Sequence, residues 1–275
     1  MGTADVRRLT AEEHFAAESD FWRAIYSADD VYSVIHQYRQ SLVLAWVDEL
    51  GLPVGATALD VGCGAGLTAI ELAERALRVE ATDAVEAMVD LARRQAAAAG
   101  LSDVVHVTQA DAHELAFDAG TFDLVTAMGV IPWLRSPSLA LAEMQRVLKP
   151  GGVLLVNCDN AARLDHLLDP AWNRQLATAR RCVATLVPGS WLPAPGAPVD
   201  QHSIHEFDRM LETAGLRKEK GKTFGFGPFT LFDRPMVPRR LEVRLHRRLQ
   251  RAADRGSHLF GSRGAQYIVA ARKPP

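Results

Sequence analysis

Between two apolar runs the chain reads DVGCGAG, with Gly62, Gly64 and Gly66 inside five residues. Glycine permits positive φ and leaves bare backbone for a ligand to lie against. The dinucleotide fingerprint G-x-G-x-x-G would require glycine at position 67, which is Leu67, and no G-x-x-x-x-G-K-[ST] phosphate loop is present. The loop therefore predicts a ligand held by close backbone contact, not a pyrophosphate clamp. Carboxylates accompany it: Asp60 within the same run, and Asp83 and Asp111 at the ends of two later ones. Upstream, Tyr32, His36 and Arg39 are spaced i, i+4, i+7 and share one face if the segment is helical. A guanidinium fork there suits a carboxylate. Proton transfer near neutral pH favours histidine, and of the nine in the chain His36, His166, His202 and His205 lie in segments that could reach a ligand.

These residues need elements to position them. DDVYSVIHQYRQSLVLAWVDELG has helical apolar spacing and stops at Gly51 and Pro53. From there strands and helices alternate: ATALDV, then LTAIELAERA; RVEATD, then AVEAMVDLARRQAAAAG; VVHVTQAD; FDLVTAMG, then PSLALAEMQRVLKPGG ending in a Pro-Gly-Gly turn; VLLVNCDN. That alternation predicts a doubly wound parallel α/β sheet, with the glycine loop at the carboxyl end of its first strand. After Asn160 come AARLDHLLDPAWNRQLATARRCVATLV, read as one or two helices, and the Pro-rich PGSWLPAPGAP. HSIHEFDRMLETAG follows, a helix with a Ser203–Glu206 capping box, then the strand LRKEKGKTFGF. The basic helix PRRLEVRLHRRLQRAADRG and the strand AQYIVAARK close the chain. In the basic helix Leu241, Leu245 and Leu249 read as the apolar stripe that packs on the sheet. Residues 1–50 are expected as an N-terminal helical cap, 51–275 as the main domain, and 160–202 as an inserted substrate lid.

LDVGCGAG resembles the first motif of class I S-adenosylmethionine-dependent methyltransferases. VEATDAVEAMVDLAR, QADAHELAF, FDLVTAMGVIPWL and EMQRVLKPGGVLLV are similar to that family's next four strand regions, in order. The resemblance implies a Rossmann-like seven-stranded sheet and S-adenosyl-L-methionine as the cofactor. It implies cofactor contacts at Tyr32, Arg39, Asp60, Gly62, Cys63, Gly64, Asp83, Ala84, Met88, Asp111, Ala112 and Met128. In this scheme Asp83 accepts from both ribose hydroxyls, Asp111 and the Ala112 N–H address the adenine, and Met88 lies on its face. Asp60 organises the loop and the ligand's amino group, and Arg39 meets its carboxylate.

The resemblance does not specify an acceptor. Trp133, Trp191 and Phe226 are expected to line its pocket, and His36 and His202 to serve as bases. The segment MGVIPWL lacks the Asn-Pro-Pro-Tyr pattern linked to methylation of bases or glutamine. The reading is methyl transfer to a small or medium-sized organic molecule at oxygen, in natural product biosynthesis. The alternatives are a C- or O-methyltransferase for a lipid, quinone precursor or glycan, and an S-adenosylmethionine-binding protein without turnover.

Composition bounds the rest. A formal charge of −2 gives no global attraction to nucleic acid. Cys63, Cys158 and Cys182 are odd in number and scattered, which suits a reducing cytoplasm and predicts neither disulfides nor a metal site. No apolar run is long enough for membrane insertion, and the first residues lack a signal peptide's apolar core. The oligomeric state is left open.

Overall fold

A computed structural model describes residues 29–178, 200–232 and 234–275. The elements in order are α1 (Val31–Leu50), β1 (Thr57–Val61), α2 (Leu67–Glu74), β2 (Arg78–Asp83), α3 (Glu86–Ala98), β3 (Val105–Gln109), β4 (Phe122–Ala127), α4 (Pro137–Val147) and β5 (Leu148–Asn160). Then come α5 (Leu164–Leu168), β6 (Gln201–His202), α6 (Ile204–Thr213), β7 (Arg217–Phe224), β8 (Thr230–Leu231), β9 (Arg234–Pro235), α7 (Arg239–Asp254) and β10 (Gln266–Arg272). The main sheet runs β3-β2-β1-β4-β5-β10-β7, with the two-residue β6 beside the end of β5. β10 is antiparallel to both neighbours, and the other pairs on the path are parallel. The expected Rossmann-like α/β sheet is present, with β6 as an eighth strand off its path.

The strands read as unbroken apolar runs because both faces are covered. Along β5, Val153 and Leu155 pack with α1, α2 and α3, while Leu154 and Val156 pack with α4 and α6. α1 begins at Asp30, whose carboxylate accepts from the Ser33 N–H at 2.9 Å, and ends at Gly51 with φ 59. Tyr38 ties it to the far end of the sheet: its hydroxyl donates to Asp254 of α7 and accepts from Lys222 of β7.

Two local expectations are corrected. The segment LKPGG does not end a helix. α4 stops at Val147, and β5 starts at Leu148, which pairs with Phe122. The register then shifts so that Leu124 faces Val153, and the turn residues bond to Lys273: Gly151 N–H donates to its carbonyl and its N–H to the Gly152 carbonyl, both at 2.9 Å. In α7 the leucine stripe is not the buried side, since Leu241 is 50% exposed. Glu242, His246 and Gln250 are buried instead, accepting from the N–H groups of Phe229, Phe226 and Gly225. The loop after β7 turns inward with unpaired donors, and burying them requires acceptors more than it requires leucine.

Beyond β5 the insertion is anchored at Asp169, which is fully buried. One carboxylate oxygen accepts from Ala171 and Phe232 N–H at 2.8 Å, and the other from the Thr230 hydroxyl at 2.5 Å. Among the described residues of the stretch read as one or two helices lie α5 and a 3-10 turn at Arg174–Leu176, with helical backbone again at residues 177–178. The Pro-rich stretch with Trp191, and Cys182 before it, lie outside the described residues. No helix among the described residues is long and apolar enough to cross a membrane.

Candidate functional site

A cavity of about 440 Å³ opens at the carboxyl ends of β1, β2, β4 and β5. This is where the strand order reverses direction, and where an open α/β sheet offers a crevice. The cavity is lined by Tyr32, His36 and Arg39 of α1; by Asp60, Gly62, Cys63 and Gly64; by Asp83, Ala84 and Met88; by Asp111 and Ala112; and by Met128 and Trp133. All these positions had been singled out in the sequence. The structure brings them together from five separate stretches of chain.

The glycine loop is tight for a physical reason. Gly62 has φ 65, and a Cβ there would collide with Val130. Gly64 N–H donates to Asp83 at 2.9 Å and Val85 N–H to the other carboxylate oxygen at 2.9 Å. Asp83 therefore clamps the loop to the end of β2 and keeps lone pairs on both oxygens toward the cavity. Burial raises its pKa, against the pull of those N–H groups. Asp60 is the buried partner of Thr126 in the β1–β4 register, and accepts from its hydroxyl at 2.7 Å. Its second oxygen, Oδ2, is buried without a hydrogen-bond partner. Burial, together with the charge of Asp83, pushes the Asp60 carboxyl up to about 7, although Thr126 and Arg39 oppose the shift. Burial also lifts the Cys63 thiol well above its ordinary value, with Asp60 and Asp83 adding to the effect, so Cys63 is not poised as a nucleophile.

Asp111 is more heavily engaged than its sequence position suggests. Its Oδ1 accepts from both the backbone N–H and the ring Nδ1 of His113, while Arg135 lies 3.4 Å from Oδ2. Ser136 N–H donates to His113 Nε2, which places the ring proton on Nδ1. Burial would raise Asp111, but His113 and Arg135 outweigh it and hold the carboxyl below its usual range.

On the opposite wall Arg39 is 6% exposed. No hydrogen-bond or ion-pair partner for it is found among the described residues. Gly129, φ 78, lets the guanidinium approach: a Cβ there would stand 3.0 Å from its terminal nitrogen. His36 is buried with Nδ1 2.9 Å from the Tyr32 carbonyl and its ring 4.5 Å from the Tyr32 ring. Burial first, then the Arg39 charge, push its pKa down to about 3, so the imidazole is neutral at any physiological pH.

The cavity does not contain every expected residue. His202 sits in β6, its ring stacked 6.1 Å from Phe207, with Nε2 buried and unpartnered, and it is not among the lining residues. Phe226 is 1% exposed and packs against Phe260, also away from the lining. The lining also includes polar residues that the sequence did not single out, among them His113, Arg135, Asp159, Arg163 and Gln266. Asp159 and Gln266 did carry a signal, as polar residues bounding the apolar runs of β5 and β10. Arg163 carried none, since its place depends on a bidentate pair with Asp165 (2.6–3.1 Å).

Residues 59–156 match the protein family described as "Methyltransferase domain". Over that stretch the chain is similar to a methyltransferase domain. The match spans β1 to β5 and so includes the glycine loop, Asp83 and Asp111. The domain is similar to the tRNA 5-carboxymethoxyuridine methyltransferase of Escherichia coli K12, 35% identical over 130 residues, 46% of this chain and 49% of that protein. It is also similar to the ubiquinone biosynthesis O-methyltransferase of Xanthomonas axonopodis pv. citri, 31% identical over 148 residues, 54% and 60% of the two chains. The chain spans about half the length of the curated relatives it matches. The methyltransferase fold extends further: magnesium protoporphyrin IX methyltransferase from Synechocystis PCC 6803, solved with bound SAH, superposes with a TM-score of 0.64 at 18% identity, covering 96% of this chain and 99% of that one.

Proposed function

We propose that this chain binds S-adenosylmethionine in the cavity and transfers its methyl group to an oxygen of a small or medium-sized organic acceptor, in the biosynthesis of a natural product. One observation carries the reading: the glycine-loop carboxylates and the α1 face line the same continuous cavity, which extends past them to Trp133 and Arg163. The residues present fit the donor. The orphaned Oδ2 of Asp60 suits an ammonium, the unpartnered Arg39 a carboxylate, and the lone pairs left on Asp83 a ribose diol. Met88 offers a flat, polarizable contact to a purine. When bound, S-adenosylmethionine supplies an activated methyl group on a sulfonium. The chain's own task is then to hold the acceptor in line and keep water out, which proximity alone can make worth several kcal/mol. α1 acts as a cap over the donor end in this reading.

A second acceptor class, a quinone precursor or other lipid, takes support from the relatives named for ubiquinone biosynthesis. Calorimetry against S-adenosylmethionine, S-adenosylhomocysteine and NAD tests the donor. The acceptor is sought by mass spectrometry after incubation with S-adenosylmethionine and a panel of phenols, quinone precursors, carboxylic acids and transfer RNA. Binding of NAD alone overturns the reading. Donor binding with no methylated product from any class leaves a binding protein.

A further inference from the structure

Beyond the donor contacts, the cavity holds one carboxylate with no assigned task. Asp159 stands at the end of β5, directly opposite Gln266 in the β5–β10 register, and both line the cavity. A chain of side-chain amides sets its orientation. Gly129 N–H donates to Asn157 Oδ1 at 2.7 Å. A backbone N–H can only donate, so the oxygen end of Asn157 must face it and the Nδ2 end must face away. Nδ2 then donates to Gln266 Oε1 at 3.3 Å, which leaves Gln266 Nε2 to donate to Asp159 Oδ1 at 3.5 Å. Every amide has one permitted orientation, and the relay terminates on a single oxygen of Asp159. No partner for the other oxygen is found among the described residues.

We propose that Asp159 is the proton acceptor for the methyl transfer, and that the acceptor is a neutral molecule presenting a hydroxyl group to it. This rests on the methyltransferase reading above. The acceptor oxygen forms the new bond to the donor's methyl carbon. The carbon–sulfur bond breaks with its electron pair left on sulfur, and the hydroxyl proton passes to Asp159 and then to solvent. His36, the base expected from the sequence, is held neutral with too little basicity, and His202 is not in the cavity wall. The charged groups around Asp159 are Arg39 from α1 and Arg163 and Asp165 from the segment after β5, with Tyr32 and neutral His36 on α1 across the same space. Burial raises the Asp159 carboxyl despite the two arginines, which moves it toward the range where a carboxylate is an effective base.

The test uses the whole chain saturated with S-adenosylhomocysteine, with catechol as the hydroxyl probe and its dimethyl ether as the control lacking O–H. Asp159→Ala should weaken catechol binding at least about tenfold and leave the ether unaffected, while Asp159→Asn, whose oxygen stays on Gln266 Nε2 and whose Nδ2 can donate to a hydroxyl oxygen, should bind catechol nearly as well as wild type. Turnover of catechol with S-adenosylmethionine should fall about 10²–10⁴-fold in Asp159→Asn, with the acidic limb of its pH profile lost and KM little changed. Gln266→Leu should shift the same limb without abolishing turnover. S-adenosylhomocysteine affinity should be unchanged in all three variants. If wild type fails to bind S-adenosylhomocysteine, it is the methyltransferase reading that falls. If it binds S-adenosylhomocysteine but not catechol, or if Asp159→Asn keeps the wild-type rate and pH profile, the role of Asp159 is refuted.

Discussion

The two ends of the cavity are built by different means. At the glycine-loop end, carboxylates are clamped by main-chain N–H groups a few residues away or across one adjacent strand: Gly64 and Val85 on Asp83, His113 on Asp111. At the far end, side chains hold side chains across long stretches of sequence: Asn157 to Gln266, Gln266 to Asp159, Arg163 to Asp165, and Asp169 to Thr230. The first kind of site is local and tied to a turn. The second depends on strand register and on an insertion anchored at one buried carboxylate. A change at one end should therefore leave the other largely intact.

The largest expected effect tests the insertion anchor. Asp169→Ala strands the Ala171 and Phe232 N–H groups and the Thr230 hydroxyl, and should cost about 3–5 kcal/mol of stability, seen as a lowered melting temperature. Donor affinity of the folded fraction should remain that of wild type; a parallel loss would show that the ends are coupled.

Next is the loop clamp. Asp83→Ala should weaken S-adenosylhomocysteine binding by about 1.5–3 kcal/mol in calorimetry, the range for hydrogen bonds to a charged group. Unchanged affinity would remove Asp83 from the ribose assignment.

Asp60 sharpens the contrast through pH. Its folded pKa of about 7 lies above the unfolded value, so the free protein binds more protons than the unfolded chain and loses stability as pH rises from about 4 toward 7. A donor ammonium pairs only with the ionised form. Donor affinity should therefore rise by up to about tenfold per pH unit below about pH 7, release a proton on binding, and level off above. Asp60→Asn should flatten the profile, and a flat wild-type profile would place the ammonium elsewhere.

The smallest effect concerns Arg39. Arg39→Ala should cost about 1–2 kcal/mol of donor affinity and leave the melting temperature unchanged or slightly raised, because a buried guanidinium without a protein partner contributes little to the free fold. A melting temperature far below wild type would make Arg39 structural.

These contrasts match what could be read before the fold was known. The glycine loop, Asp60, Asp83 and Asp111 were legible because each lies at or close to the carboxyl end of its own strand, where a local apolar run gives way to a turn. Tyr32, His36 and Arg39 were legible because helical periodicity puts them on one face whatever the helix packs against. The alternating apolar runs determined the sheet itself, since a strand covered on both faces must be apolar throughout. Only the tertiary structure could decide the far end. Gln266 meets Asp159 because β10 enters antiparallel beside β5 in one register, and a shift of a single residue would turn every side chain to the other face. It also decided that His36 is too deeply buried to titrate as a base, that His202 lies outside the cavity wall, and that the basic helix buries Glu242, His246 and Gln250 in place of its leucines. Burial and unpaired backbone donors come from packing between distant segments, and no local pattern of residue types encodes them.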